Sequence, residues 1–328
     1  MGNFYVEEMK LKLVYKGAIT PKAPYNFDYS VHNPTHYPDS LNQWERGKLW
    51  FSFRFKDKLV GIKFINKGTI LKPKVKIEIY YNFKLDDGYI SSLLEELDYR
   101  FEFKGDYSGF YKKFEKDKLI GKILKKFKGI HNFCREGLYE YLMISILLQN
   151  TNIKRTIQMT NAMLQNYGDE IEFDGIELHF IWKPERILKI PEEELRALKV
   201  GYRAKSFLRG TQDCLKLNEF LLRKLSNDEL RKKLLEIYGV GPASVDYIMR
   251  DVYHRGILNT IPPWEAKIYS KLLKLKTTNP KVIMAFLNRK YGEYKSLIIQ
   301  HLFMDISWKH KYEKVDWMEK LLPFTNQN

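Results

Sequence analysis

Leu234-Leu235-Glu236-Ile237-Tyr238-Gly239-Val240-Gly241-Pro242, followed along the chain by Pro262-Pro263-Trp264-Glu265, combines a helix end, a glycine turn and two proline-led helix starts. Upstream of it, Ser226 offers a capping oxygen three residues before Glu229, and apolar Leu230, Leu234, Leu235 and Ile237 follow, so a short amphipathic helix is expected. Gly239 and Gly241 permit positive φ in a tight turn, Pro242 suits the first position of a new helix, and Val245, Ile248, Met249 and Val252 recur at helical spacing. The segment therefore reads as helix, hairpin, helix. Glycines at a helix N-terminus leave outward-pointing N–H groups with a partial positive charge, where one phosphate of a polynucleotide can sit. Such a contact positions a duplex without reading its sequence. Taken alone, the glycines fit a plain turn between two helices of an all-α bundle equally well.

Composition is consistent with a polyanionic partner. The 328 residues carry 56 Lys and Arg against 40 Asp and Glu, a formal net charge of +16. A thermophile's heavily charged surface would give the same excess. The length suits two domains, and three are possible. No internal repeat, no signal-like N-terminal stretch and no run of eighteen apolar residues is present, so no membrane span and no secretion is expected, and the protein should be intracellular, cytoplasmic (nucleoid-associated) or nuclear. Only Cys134 and Cys214 occur, which argues against a disulfide framework and a four-thiolate cluster, and the seven His lack ligand spacing. Neither a metal nor another cofactor is expected.

The texture changes along the chain. Residues 50–55 alternate, Lys56-Asp57-Lys58 makes a turn, 59–65 return, and Val75, Ile77 and Ile79 alternate with polar neighbours, which predicts an antiparallel sheet. A domain over 1–105 is expected to end at the turn-rich Gly105–Gly109, with an all-α domain over 106–328, an α+β protein overall. Within the second part, residues 112–128 predict a basic helix, 137–148 a central apolar helix, 193–198 and 213–225 amphipathic helices, and 278–300 two more.

The hairpin with a carboxylate downstream resembles the helix-hairpin-helix DNA glycosylases, whose hairpin is followed by a Gly/Pro-containing loop and an acid opening the next helix. Here the loop is Asn259-Thr260-Ile261-Pro262-Pro263-Trp264 and the acid Glu265. The resemblance spans roughly residues 128 to 305 and is strongest to the branch of 8-oxoguanine and alkylated-base (3-methyladenine) glycosylases. Gln149-Asn150-Thr151-Asn152-Ile153-Lys154-Arg155 is similar to the loop that fills the hole left in the duplex, which implies gap-filling by Asn150 and Asn152 and contact of Arg155 with the widowed partner base. Gly201-Tyr202-Arg203-Ala204 is similar to the segment that supplies a wedge, Tyr202, and a second arginine for that partner, Arg203. By the same resemblance, Gly239, Val240, Gly241 and Ala243 hold the DNA backbone.

The resemblance also implies a chemistry. A glycosylase rotates its nucleotide out of the stack at a cost of a few kcal/mol. As the base departs, positive charge grows on the deoxyribose, and a fixed carboxylate stabilises it and can activate water. Glu265 takes that role where the family has Asp. The loop is one residue longer than the family's; without that residue Trp264 would stand at the acid's position, and Glu265 is preferred because Ile268 then takes the apolar position that follows the acid. Tyr247 and Phe303 match the rings that sandwich the flipped base, Trp264 lies beside them, and Ile299 stands where the guanine-oxidation enzymes carry a base-reading Gln. Bifunctional members place a Schiff-base Lys where this chain has Ala243, so hydrolysis without strand cleavage is expected. The implied partner is double-stranded DNA containing a damaged purine, guanine-derived or alkylated, bound by a monomer. The alternatives are a relative that binds lesions or bent DNA without cleaving, and an RNA-directed module, for which no RNA-binding signature occurs.

Overall fold

The computed structural model describes residues 8–34, 40–256 and 258–322. Strands β1 (Glu8–Lys10), β2 (Lys12–Ile19), β3 (Asn42–Glu45), β4 (Lys48–Phe55), β5 (Lys58–Asn66) and β6 (Val75–Tyr81) come first, and β7 (Asp169–Phe173) and β8 (Ile176–Phe180) follow far downstream. The main sheet has the order β2-β6-β5-β4-β3 and is antiparallel throughout. Alternation explains its burial. Leu49, Phe51, Phe53 and Phe55 of β4 join Phe64, Ile77 and Ile79 on one face, covered by Leu93 and Leu97 of the helix Asp87–Arg100. Their in-between neighbours serve the other face: Trp50 Nε1 donates to Asp174 at 2.7 Å, Ser52 Oγ to the His179 carbonyl at 2.7 Å, and Arg54 pairs with Asp169. Both faces of β4 are thus used, and truncating a ring such as the fully buried Phe51 would cost about 3–5 kcal/mol.

What covers that second face was not legible in advance. The hairpin β7–β8 interrupts the part expected to be all-α, and β1 pairs parallel to β7, so the chain's first strand joins a three-stranded sheet with residues more than 150 positions away. Asp174 and Gly175, with φ of 53° and 75°, make the two-residue turn.

The helices build two further cores. One gathers Leu142, Ile146, Met163, Phe207, Leu234 and Ile248, and the other Phe110, Leu124, Ile268, Leu287, Ile298 and Leu302. Several predicted helices are divided. Residues 112–128 form two short helices, Ser108–Phe114 and Gly121–Lys126, because the Asp117 carboxylate accepts from the N–H groups of Leu119 (2.8 Å) and Ile120 (3.2 Å) and starts a new turn. The helix expected over 213–225 is instead Arg203–Cys214 followed by Glu219–Leu222, which Asn218 caps. The segment expected over 193–198 is a turn of helix, Glu192–Leu195, running into a wide turn, Arg196–Val200. Residues 278–300 hold the two expected helices, Pro280–Tyr291 and the start of Lys295–Trp308, separated at Gly292, whose φ is 56°. Among the described residues, no helix is long and apolar enough to cross a membrane.

Candidate active site

The helix Pro263–Leu272 begins where two consecutive prolines forbid continuation from upstream: Pro262 is extended and Pro263 occupies the first helical position. Glu265 is therefore in the first turn, where the helix dipole favours a carboxylate. Its side chain turns inward and is only 7% exposed. Tyr269, one turn on along the same face, donates its hydroxyl to Glu265 Oε2 at 2.8 Å. Burial pushes the carboxyl pKa up; the Tyr269 hydrogen bond and the positive charge of Arg250 work against burial without cancelling it.

The loop that carries Glu265 is tied to the hairpin. Asp246, on the helix Pro242–Asp251 and 1% exposed, accepts from Asn259 N at 3.0 Å with one oxygen and pairs with Arg231 through the other. Four residues along the same helix, Arg250 lies over the Tyr247 ring, 5.0 Å from its centroid, and is held by Asp251 at 2.6 and 2.9 Å. Asp251 in turn accepts from the Tyr141 hydroxyl at 2.6 Å. The guanidinium facing Glu265 is thus already partly neutralised.

Against the second helical core lies a cavity of about 630 Å³, and Tyr247, Trp264, Glu265, Ile299 and Phe303 all line it. Five residues chosen from the sequence as acid and pocket therefore share one space of small-ligand size. Tyr29, Ser30 and His32 enter from the N-terminal part, with Ile130–Phe133 from the connecting segment. Ile299 is apolar and 2% exposed, yet its neighbour Gln300 lines the cavity, as does Asn132, whose Nδ2 donates to the Arg250 carbonyl at 2.9 Å. Amides thus line the cavity, displaced from the position of Ile299. Among the described residues that line the cavity there is no lysine.

Leu148, 46% exposed, connects the cavity to the loop after the central helix. There Asn150 has a φ of 47°, a left-handed conformation that Asn tolerates, and its Nδ2 donates to the Tyr202 hydroxyl at 3.3 Å. Tyr202 is half-exposed. Gln149 Nε2 donates to the Gly239 carbonyl at 3.0 Å, which fastens this loop to the hairpin. In the hairpin Gly239 has a φ of 86°, Val240 is 8% exposed and anchors into the core, and Gly241 caps the helix that Pro242 and exposed Ala243 begin. The loop, Tyr202 and the hairpin form one face, and Arg209 and Lys205 add charge to it over the Tyr238 ring at 5.1 and 6.0 Å.

Three residues of that face hold partners within the protein. Arg203 is 7% exposed, and its guanidinium donates to the carbonyls of Ile146, Val200 and Gln149, so it braces the loop from behind. Asn152 caps the helix Ile153–Tyr167, its side-chain oxygen accepting from Arg155 N at 2.8 Å. Arg155 lies against the Lys199 carbonyl and Gln158. Of the groups missed beforehand, Arg250 and Tyr269 share helical faces with Tyr247 and Glu265 at spacings of three and four and were within reach of a periodicity argument. Gln149, Asn132 and Tyr29 carry no local signal.

Comparison with known proteins agrees with this geometry. A Methanothermobacter thermautotrophicus protein named "Probable N-glycosylase/DNA lyase" is 25% identical over 234 residues, 65% of this chain and 74% of that protein. A 3-methyladenine DNA glycosylase from Archaeoglobus fulgidus superposes with a TM-score of 0.75 at 14% identity, covering 91% of this chain and 100% of that one. The apo 8-oxoguanine glycosylase/lyase of Clostridium acetobutylicum gives 0.66 at 17% identity, over 90% of this chain and 98% of that one. Residues 143–280, which contain the hairpin, the loop and Glu265, match the family described as HhH-GPD superfamily base excision DNA repair protein.

Proposed function

We propose that this protein is a DNA glycosylase that turns a damaged purine, guanine-derived or alkylated, out of duplex DNA and hydrolyses its bond to deoxyribose without a Schiff-base step. The observation that carries the reading is the convergence of Glu265 with Tyr247, Trp264 and Phe303 on one cavity that opens beside the loop of Asn150. Backbone phosphates settle on the hairpin at Gly239–Ala243, and the basic face around Lys205 and Arg209 holds the strand. Tyr202 and Asn150 occupy the space the base vacates. Arg155, at the surface, is the remaining candidate for the partner base.

Inside the cavity the base stacks on aromatic walls, each ring contributing roughly 1–3 kcal/mol. Gln300 and Asn132 offer donors and acceptors to its edge. Glu265, once deprotonated, faces the sugar, offsets the charge that grows as the bond breaks, and takes the proton of the attacking water. Ala243 in place of an amine, and the absence of lysine among the described residues that line the cavity, support hydrolysis over lyase chemistry. The inward carboxylate also favours an enzyme over a binder, for which an acid turned to solvent would be expected. The test is incubation of wild type and Glu265→Gln with a panel of lesion duplexes, developed with and without alkali. The reading requires alkali-dependent cleavage that Glu265→Gln loses, and normal excision by Glu265→Gln refutes it.

A further inference from the structure

We propose that a second cavity, about 360 Å³ and adjoining the candidate active site, is a binding site for a free purine base, the class of product that base removal releases. The inference rests on the base-removal reading of the neighbouring cavity. Its walls are rings from three separated segments. His32 lies flat on Trp44, centroids 4.0 Å apart and planes 3° from parallel. Trp308, at the end of the helix Lys295–Trp308, meets Tyr312 at 4.5 Å and Tyr29 edge-on at 5.8 Å. Rings that line a cavity offer apolar surface to a flat π system, and the volume lies within the range of small-ligand sites.

Asp28 and Arg46 supply the polar groups. A guanidinium suits the N7 acceptor that every purine carries and a carboxylate suits its N–H donors. A methylated ammonium, the other ligand of aromatic enclosures, calls for a carboxylate without a neighbouring cation, and here Arg46 accompanies Asp28. Position selects the occupant further. Tyr29 and His32 line both cavities, so these two side chains form the partition between them. A base cut free while duplex covers the Leu148–Tyr202 face cannot leave by that mouth. Rotation of Tyr29 would pass it into the aromatic enclosure, with no bond made or broken.

Calorimetric titration of the full chain with adenine tests this, with the single strand dA6 as a second probe. Tyr312→Ala is the main variant, because Tyr312 is 59% exposed and its loss leaves the core intact. Two equivalents of adenine are expected for wild type, one of them weakened about tenfold or more in Tyr312→Ala and the other lost in Phe303→Ala. Single-turnover excision by Tyr312→Ala should equal wild type, since chemistry occurs in the other cavity. A single equivalent insensitive to Tyr312→Ala overturns the proposal while leaving the active cavity standing, and Tyr312-dependent binding of dA6 without that of adenine overturns it in favour of a strand-binding role. Two equivalents in a protein that excises no lesion would instead sink the base-removal reading and keep the site.

Discussion

Replacing Glu265 by Gln removes a charge and almost nothing else: the amide oxygen can still accept from Tyr269, now at 2.8 Å from the carboxylate, and the side-chain volume is unchanged. In a buried site of effective dielectric about 20, opposite unit charges about 4 Å apart attract by roughly 4 kcal/mol. At about 1.4 kcal/mol per decade, loss of that term slows excision about 10³-fold. Stability moves the other way. Burial raises the folded-state pKa of Glu265, so the folded chain holds this proton more tightly than the unfolded chain does. Its contribution to stability is therefore highest below the usual carboxylate range and falls as pH rises through the elevated folded pKa. Glu265→Gln should match wild-type thermal stability near pH 4 and exceed it at pH 7.5. The wild-type excision profile should lose activity on acidification above the ordinary carboxylate range. Single-turnover rates and melting curves at both pH values measure this. Excision within about threefold of wild type, or a lower melting temperature at pH 7.5, would overturn the assignment of Glu265.

Hydrolysis without a Schiff base predicts that borohydride traps no covalent protein–DNA adduct and that strands break only after alkali; trapping in wild type would locate an amine in the site. Phe303→Ala should weaken lesion-duplex binding by roughly 1–3 kcal/mol while leaving binding of an abasic duplex unchanged, measured by fluorescence anisotropy. Arg203→Ala leaves three carbonyl contacts unmade and should cost about 1–3 kcal/mol of stability, and it should slow excision equally opposite all four partner bases. A loss confined to cytosine opposite would restore Arg203 to the partner-base role.

The local code was legible where physics is local. Ser226 caps its helix with the reciprocal Glu229 bond, Pro242 and Pro263 open theirs, and Gly239 takes the positive φ that a hairpin needs. The alternation in β4 likewise foretold a sheet. It did not foretell the burial of both strand faces, because β7–β8, the cover for the second face, is short and lies more than a hundred residues downstream. Arg203 shows the same limit in the site. A motif position next to an exposed Tyr suggests an exposed arginine, yet the carbonyls freed at the end of the central helix and at the Lys199 turn draw the guanidinium inward. The cavity walls contributed by Tyr29 and Asn132 depend on how the N-terminal part docks, which no periodicity encodes.

In the proposed reaction Glu265 opposes a nascent positive charge on an extruded sugar. Duplexes carrying a pyrrolidine amine, cationic at neutral pH, or a neutral tetrahydrofuran at the abasic position separate charge from shape. Comparing their dissociation constants for wild type and Glu265→Gln is the most direct measurement. Wild type is expected to prefer the cation about 10³-fold and Glu265→Gln to show no preference; equal affinity of wild type for the two duplexes, or an undiminished preference in the variant, rules out the charge role of Glu265.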